Sequence, residues 1–502
     1  MNKYLLLCCS IVLFSIPFIN FDYFYLSWIF LIPILYLIEV KKSSPLKVGA
    51  IFGTLSTLCI TYWATNTLSD LSGSSLIASA LIHLIYCIYE SVFFIAILIV
   101  FKLSLDKTKK KLFTYSLLIS FYVVLEQNFP RIFPYKLGNS QILITEISQL
   151  ISIFGLNILS ILTLIANISL YELFINKNIK LLLLTLALGA ISFLSGTYIL
   201  NQKTITNENG KIKLAILQPN NKIENLISLN NEIHQAPKST HPYLSIWPES
   251  SLDKVHTLKK EDYAKFKDSF SKLFGNRNNF ILLGSIVKHD EKYYNAGILI
   301  NQNSQIVDTY YKNKLMIFGE YYPFQSIISK IMPVYSSFVA LEKGSLKTIR
   351  INKEYSMGVI ICYEDLFEKS SLGLSRLNAS ILINLTNDIW YGGSRASYQH
   401  LMLSIPRAIE NKKFLIRSAN TGISAIISPN GKIKEKLGIN KSGYLIGDVL
   451  LSNKKSFYLS NYKIINLFYY IIFFSLLALF YKKARNNLHE SFVLFRQANR
   501  HS

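Results

Sequence analysis

The sequence predicts a polytopic α-helical membrane bundle joined to an exported α/β domain. Hydrophobic residues make up 51% of the 502 residues, more than an ordinary soluble protein carries. Long apolar runs fill the first 200 residues and return once near the C-terminus. Between these blocks, short apolar runs alternate with polar, helix-like stretches. The two patterns together predict about eight transmembrane helices and one α/β domain.

The positive charge of the chain is best explained by membrane topology. A net charge of +23 would also suit a nucleic-acid-binding protein. The lysines, however, lie mostly between the long apolar runs, so no nucleic-acid partner is expected. The sequence contains neither a Cys/His zinc spacing nor a Gly-rich phosphate loop, which argues against zinc-binding and nucleotide-binding classes.

Eight apolar runs predict the membrane spans. Most of them approach the roughly 20 residues that cross the hydrocarbon core of a bilayer. The first run is not expected to be a cleaved signal peptide, because no small-residue cleavage site follows it. The predicted spans are Tyr4–Phe21, Tyr23–Val40, Val48–Ala64, Leu76–Val100, Leu112–Glu126, Ile142–Tyr171, Leu181–Leu200 and Ile464–Tyr481.

The loops between the spans predict the orientation. The stretches "KKSSPLK", "KLSLDKTKKK", "NKNIK" and "YKKAR" are basic, whereas the alternate loops carry few positive charges. Because Lys and Arg accumulate on the cytoplasmic side, both termini are expected inside the cell. The predicted divisions are a membrane domain with about seven helices (residues 1–200), an exported domain (201–460), a C-terminal transmembrane helix (461–482) and a cytoplasmic basic tail (483–502).

The exported part has the pattern of a layered α/β domain. Runs such as "KLAILQPN", "FILLGSIV", "MGVIICYED" and "ASILINLTND" are continuously apolar, which predicts strands of a sheet that is covered on both faces. The stretches "KKEDYAKFKDSFSKLF" and "YQHLMLSIPRAIENK" have helical periodicity and would supply covering layers.

Cys362 is the candidate nucleophile of this domain. The other four cysteines fall in predicted spans, so Cys362 has no partner for a disulfide within the exported part. A buried, inert cysteine would be an alternative. The acidic residues Glu364 and Asp365, which follow Cys362 at the end of an apolar strand, favour a reactive thiol.

Two other stretches carry groups that could assist a thiol. Glu249 ends a strand in "SIWPESS", and Lys312 precedes Glu320 by eight residues in "YYKNKLMIFGEYYPF". A cysteine nucleophile needs a base for its proton and positive charge near the developing oxyanion. Taken alone, Glu249 could instead be a helix cap, and Lys312 a solvated lysine at a strand end.

The three stretches together resemble a known superfamily. WPES, then Y-x-K-x-K-L-x-x-FGEY-x-P, then CYED occur in the order found in carbon–nitrogen hydrolases, the nitrilase superfamily. With seven spans before the domain and one after it, the chain resembles the apolipoprotein N-acyltransferase family within that superfamily. The stretch "FPRIFPYKLGNSQ" is similar to part of the family's membrane half. This resemblance implies a nitrilase-like α-β-β-α sandwich set on the membrane bundle.

The resemblance also implies roles for individual residues. Glu249 would be the general base, Lys312 the cation that stabilises the oxyanion, and Cys362 the nucleophile. Glu320 would orient Lys312. Further supporting residues would be Tyr363, Glu364 and Asn295.

The family's reaction sets the expected partners. A phospholipid would donate an acyl group to Cys362, and the diacylglyceryl cysteine of a lipoprotein would accept it, without metal or diffusible cofactor. The expected location is the bacterial inner membrane, with a monomer whose catalytic domain faces the periplasm. Two alternatives remain open at this point: a membrane-tethered amidase or hydrolase that transfers the acyl group to water, and a non-catalytic transporter or scaffold.

Ionisable residues inside predicted spans are a further expectation. His83 and Glu90 lie seven residues apart in the fourth span, and we expect each to pair with neighbours inside the bundle. Glu126, at the end of the fifth span, coincides with a glutamate of the family that would orient the loop after it.

Overall fold

The computed structural model describes residues 2–108, 110–202, 210–235, 242–252, 256–257, 271, 280–321 and 339–498. Its first part is helical, as predicted. The helices α1 to α10 are Lys3–Ile19, Leu31–Glu39, Pro45–Ile60, Ala64–Ser72, Leu76–Lys107, Lys111–Asn128, Thr145–Ser148, Ile151–Phe154, Asn157–Asn176 and Ile179–Asn201.

Within the described part of the chain, five helical segments are long and apolar enough to cross a membrane. Counting the bent pair Pro45–Ile60 and Ala64–Leu71 as one broken span raises the number to six. The predicted number of eight therefore depends on α1 and α6 crossing as well. The five segments are Phe21–Glu39, Leu76–Lys107, Asn157–Asn176, Ile179–Asn201 and Phe457–Asn486.

Helices α3 and α5 pack so closely that only glycine fits between them. A Cβ added at Gly49 would lie 2.7 Å from the backbone of Ile95, and one at Gly53 would lie 2.5 Å from that of Ser91. Small residues at such contacts let helix backbones approach, which is a common basis of helix association in membranes.

The α/β domain contains two sheets. The first has strand order β13-β1-β2-β4-β5-β6, with β3 paired to β4, and the second has order β12-β11-β10-β9-β8-β7. The strands β1 to β13 are Lys211–Gln218, Leu244–Ile246, His256–Thr257, Phe280–His289, Lys292–Ile300, Ile306–Tyr311, Ile349–Arg350, Ser356–Ile361, Ala379–Thr386, Leu415–Ala419, Ala425–Ile427, Ile433–Lys436 and Gly443–Leu450.

The two sheets pack face to face and helices cover their outer faces. Buried residues of both sheets, such as Ile216 and Ile383, share one apolar cluster. Helix α11 (Ile223–Gln235) packs on the first sheet, and α12 (Glu368–Arg376) and α13 (Ala396–Asn411) pack on the second. This is the α-β-β-α sandwich that the resemblance implied. The predicted helix over residues 259–274 lies outside the described residues, apart from residue 271.

The domain rests on the membrane helices through α13. The indole of Trp63 donates a 2.8 Å hydrogen bond to Gln399, whose amide donates in turn to the carbonyl of Ile60. Apolar residues of the bundle and of α13 belong to one continuous core. A last helix, α14 (Phe457–Ala498), contains the predicted C-terminal span and continues into the predicted tail.

Candidate active site

The ends of parallel strands bring the candidate residues together. Strands β8 and β9 are parallel neighbours, with Ile361 opposite Leu385, so Cys362 and Thr386 emerge at the same edge of the second sheet. In the first sheet, β2 ends at Ile246, three residues before Glu249. Because parallel strands place their carboxyl ends at one edge, polar residues that follow them converge there.

Glu249 is held by a close approach of two backbones. A Cβ added at Gly284 would lie only 2.6 Å from the Cα of Glu249, so this position of β4 requires glycine. The amide of Gly284 donates to the carbonyl of Pro248, and the amide of Ser251 donates to the carbonyl of Gly284. The side chain of Glu249 is 9% exposed and therefore lies at the inner wall of the site.

Lys312 lies between two carboxylates. It follows β6, and its side chain is 2% exposed. The Nζ atom lies 2.9 Å from Oε1 of Glu320 and 3.7 Å from Oε1 of Glu249. Buried charges are stable only when they are paired in this way, so the ammonium group is held in one place.

Asn295 links the two carboxylates. Its amide nitrogen donates to Oε1 of Glu249 over 2.6 Å and to Oε1 of Glu320 over 2.8 Å. The second oxygen of Glu320 accepts from the amide of Met316, and the second oxygen of Glu249 accepts from the amide of Asn387. Both carboxylates are thus oriented by hydrogen bonds on both oxygens.

Cys362 occupies a tight strand-to-helix turn. Its φ of 49° lies in the left-handed region, which is uncommon for a residue other than glycine. The 3₁₀ turn Cys362–Leu366 starts at this residue, directly after β8. The side chain is half-buried, and its thiol interacts electrostatically with both Glu249 and Lys312. Such strained positions occur at sites where a side chain must be presented outward.

Electrostatics favour a protonated thiol at rest beside an ammonium ion. Burial, and then the charge of Glu249, raises the pKa of Cys362, while Lys312 opposes the shift. Burial likewise raises the pKa of Glu249, which Lys312 partly offsets. For Lys312, burial lowers the pKa, but Glu320 and Glu249 more than compensate and raise it overall. The thiol therefore keeps its proton at rest, next to a carboxylate of increased basicity.

Glu364 and Tyr363 contact the surroundings of the site. Glu364 is fully buried and accepts hydrogen bonds from the amides of Ile361, Asn313 and Lys314. It thereby ties the segment after Lys312 to the end of β8, and burial raises its pKa to about 7. The hydroxyl of Tyr363 donates over 2.5 Å to the carbonyl of Ile132, in the loop that follows α6.

Sequence reasoning missed a second charged cluster behind the thiol. His400 contacts Asp365 through Nε2 at 2.9 Å and Asp388 through Nδ1 at 3.0 Å. Arg417 pairs with both aspartates, and all four side chains are at most 1% exposed. The four residues of this cluster lie in the short polar stretches "ED", "ND", "QH" and "IRS", at strand ends and on α13. Their spacing over 53 residues gives no hint that they meet.

The residues in the membrane half pair with neighbours. The ring of His83 lies between the hydroxyls of Thr61 and Thr65, at 2.9 Å from each. Glu90 lies 3.1 Å from Nε of Arg131. Both findings agree with the expected pairing inside the bundle. Glu126 accepts from the amide of Leu137 and thus contacts the loop after α6, as expected.

No metal site is evident where the structure can be described. In those residues, no group of three or more His, Cys, Asp or Glu side chains could hold a metal ion.

The fold and the matched family models define the class of protein. Residues 213–457 match the carbon-nitrogen hydrolase model, and residues 10–169 match the model of the apolipoprotein N-acyltransferase N-terminal domain. The protein is thus a carbon–nitrogen hydrolase-type domain attached to a helical membrane region. The chain belongs to the apolipoprotein N-acyltransferase family of the nitrilase superfamily.

Individual relatives agree with this assignment. The chain is 30% identical over 332 residues to the apolipoprotein N-acyltransferase of Rickettsia typhi, which covers 62% of this chain and 64% of the relative. This match therefore spans less than two thirds of the length of the relative. The corresponding protein of Wigglesworthia glossinidia brevipalpis is 26% identical over 453 residues, which covers 85% and 87% of the two chains.

Among solved structures, the Nit3 protein of Saccharomyces cerevisiae is similar to this chain. The two proteins share 19% sequence identity, and their structures align with a TM-score of 0.38. The aligned region covers 49% of this chain and 92% of the Nit3 chain.

Proposed function

We propose that this protein transfers an acyl group from a phospholipid to the N-terminal diacylglyceryl cysteine of lipoproteins. The acyl group would pass through a thioester on Cys362, and the product would be a triacylated lipoprotein. In this proposal Glu249, Lys312 and Cys362 form the catalytic triad, while Glu320 and Asn295 orient its charged members.

One observation carries the proposal: a carboxylate, an ammonium ion and a half-buried thiol from three distant segments meet in one site. The charge of Glu249 acts on the thiol of Cys362, and Lys312 lies 3.7 Å from Glu249. A nucleophile with an adjacent base and a fixed cation is the arrangement that acyl transfer through a covalent intermediate requires. Membership of the family supports the choice of lipid substrates.

In the first half-reaction, the sulfur of Cys362 attacks the carbonyl carbon of the phospholipid ester. Because the thiol is protonated at rest, Glu249 accepts its proton as the S–C bond forms. The negative charge of the tetrahedral intermediate develops beside Lys312, whose position is fixed before the reaction. Collapse breaks the ester C–O bond, and the leaving alcohol of the lysophospholipid takes the proton back from Glu249.

In the second half-reaction, the α-amine of the lipoprotein attacks the thioester. Glu249 accepts a proton from the amine, and Lys312 again stabilises the oxyanion. When the C–S bond breaks, the sulfur leaves as the thiol of Cys362 with that proton, and the acyl chain is held in an amide. One carboxylate thus serves both steps, and burial, which raises its pKa, makes it a stronger base.

The membrane arrangement suits two lipid substrates. In the proposed topology, eight spans place both termini in the cytoplasm and the α/β domain in the periplasm of a bacterial inner membrane. The enzyme would act as a monomer. Direct contact between α13 and the bundle, for example from Gln399 to Trp63, is consistent with substrates that arrive sideways from the bilayer.

The test is a reconstitution of purified full-length protein with a phospholipid labelled in its acyl chain and a synthetic diacylated lipopeptide. Mass spectrometry should detect the lipopeptide with one additional amide-linked acyl chain, and a thioester at Cys362 when the lipopeptide is omitted. Cys362→Ala is the control and should give neither. Release of free fatty acid without amide formation would instead indicate the hydrolase, and labelling that persists in Cys362→Ala would refute the role of the thiol.

A further inference from the structure

A cationic cavity lies between the loop after α6 and the exported domain. It has a volume of about 500 Å³, and five cationic but only two acidic side chains line it. The cations are Arg131, Lys136, Lys314, Lys369 and Arg407. Glu249, Lys312 and Cys362 do not line it, whereas Tyr363, the neighbour of Cys362, does, so the cavity lies beside the proposed catalytic site.

Arg407 has unused hydrogen-bonding capacity at this cavity. Its side chain is 3% exposed, and among the described residues its Nε and Nη1 atoms have no hydrogen-bond partner. Only Nη2 is engaged, at 3.0 Å from Oε1 of Glu410. Burial raises the pKa of Glu410 to about 8, so this residue is only a partial counter-charge at neutral pH. A buried guanidinium with free donors is suited to an anion with several oxygens.

The other cationic side chains that line the cavity could also interact with an anion. Lys136 donates to Asn157 over 3.1 Å but lies 3.5 Å from its carboxylate partner Glu368. Lys314 and Lys369 are exposed, and Lys314 is placed over the ring of Phe367. Arg131, in contrast, is paired with Glu90 and donates to the carbonyl of Tyr135, so part of its charge is already matched.

An apolar groove adjoins the cavity along the same helices. It has a volume of about 540 Å³ and lies between α6, α9 and α14, with almost entirely apolar walls. On α6, Val123 lines the groove and Glu126 lines the cavity, less than one helical turn further on. At the start of α9, Ile158 lines the groove and Leu156 lines the cavity. Residues two or three positions apart thus line the groove and the cavity.

We propose that these two spaces together form a binding site for one phospholipid with an anionic headgroup, which joins the membrane helices to the exported domain. The phosphate lies in the cationic cavity and accepts hydrogen bonds from Arg407 and Lys136, and one acyl chain lies in the groove. A phospholipid is the occupant that matches both the charge of one space and the apolar walls of the other. The site goes beyond the proposed function, because it does not require acyl transfer.

The experiment uses the delipidated full-length protein and native mass spectrometry, with dioleoyl-phosphatidylglycerol as the probe. Dioleoyl-phosphatidylcholine and glycerol 3-phosphate test the contributions of net charge and of the chains. We expect phosphatidylglycerol to bind more tightly than either comparison ligand. Equal binding of glycerol 3-phosphate would show a site for free phosphate, and equal binding of phosphatidylcholine would show that the cations do not select the ligand. Either result would overturn the proposal.

Variants test each half of the site. Arg407→Gln should weaken binding of phosphatidylglycerol about tenfold, the effect of losing hydrogen bonds from one charged group. Lys369→Gln is an exposed variant that cannot disturb folding, and it should weaken binding by a smaller factor. The control is Lys434→Gln, an exposed lysine of β12, which should bind as the wild type does.

In the groove, Ile161→Trp should displace the acyl chain, whereas Leu112→Trp, on the exposed face of α6, should not. Wild-type binding in both Arg407→Gln and Ile161→Trp would refute the site. Cys362→Ala should bind the lipid normally, so a failure of acyl transfer and a failure of this site remain distinguishable.

Discussion

The α/β domain contains two clusters of charged side chains at neighbouring strand ends, and they differ in access to solvent. The first consists of Glu249, Lys312 and Glu320 beside the half-buried thiol of Cys362. The second consists of four side chains that are at most 1% exposed: Asp365, Asp388, His400 and Arg417. Both use carboxylates with a cation, so residue type does not separate them.

The two clusters differ in how completely their charges are paired. The first, beside Cys362, is called the open cluster, and the second, around Arg417, is called the sealed cluster. In the sealed cluster, burial and Arg417 lower the pKa of His400, but Asp365 and Asp388 raise it overall. Both carboxylates of this cluster are thus paired with Arg417 and with His400. In the open cluster, a neutral thiol remains beside the ion pairs and can react. A cluster that is closed to solvent and has balanced charges therefore stabilises the fold. A cluster that presents one reactive group is suited to catalysis.

Removing the reactive group should have the largest effect on activity. Cys362→Ala is expected to abolish acyl transfer, because no other described group can form the covalent intermediate at this position. Its thermal unfolding should match that of the wild type, since the half-buried sulfur makes no ion pair. The measurement is lipopeptide acylation together with thermal unfolding in detergent. Residual acyl transfer in Cys362→Ala would contradict this view of the open cluster, because its activity would then not depend on the thiol.

Removing a cation from the sealed cluster should mainly affect stability. Arg417→Met leaves two buried aspartates with one cation, and such losses destabilise by about 3–5 kcal/mol. The matched control is Lys347→Met, whose exposed ion pair with Asp308 contributes about 0–1 kcal/mol. Chemical denaturation of the two variants gives the free energies of unfolding. Similar losses in both would show that the sealed cluster is not structural.

Removing the cation of the open cluster should lower the rate, and it should also cost some stability because Glu249 and Glu320 lose their counter-charge. Lys312→Met is expected to lower the rate of acylation about 10²- to 10³-fold, the usual effect of losing an oxyanion-stabilising group. The protein should still insert in the membrane. Glu320→Gln keeps Lys312 but weakens its orientation, so we expect a smaller loss in the same assay. Wild-type rates in Lys312→Met would contradict the assigned role.

The smallest expected effect is the pH dependence of stability that arises from the sealed cluster. Burial raises the pKa of Asp388, but Arg417 and His400 lower it to about 2, below its ordinary value of 3.8. A depressed pKa stabilises the fold above pH 4, and this contribution, about 2 kcal/mol, is lost as the pH falls from about 4 to about 2. Unfolding measured over this range should show the loss. Asp388→Asn should remove it, whereas the surface variant Asp308→Asn should retain it.

Local sequence patterns anticipated much of the fold. Continuous apolar runs identified α5, α10 and several strands of both sheets, because membrane-crossing helices and strands covered on both faces require an unbroken apolar stretch. The predicted span Ile142–Tyr171 was wrong in its first half, where two short helices precede α9. The reason is tertiary: Gly155 has a φ of 74°, and a Cβ there would lie 2.5 Å from the ring of Tyr458. A contact 303 residues away in the sequence cannot be read from local periodicity.

The linear order of residues already identified the class of the domain and the candidates Glu249, Lys312 and Cys362, since each ends a strand within a recognisable motif. It also located the long apolar helices and the basic loops between them. Folding alone decided that Asn295 links two carboxylates, that His400 and Arg417 seal a second cluster, and that a cationic cavity meets an apolar groove. These features depend on distances between segments, and a chain reveals such distances only after its strands and helices have packed.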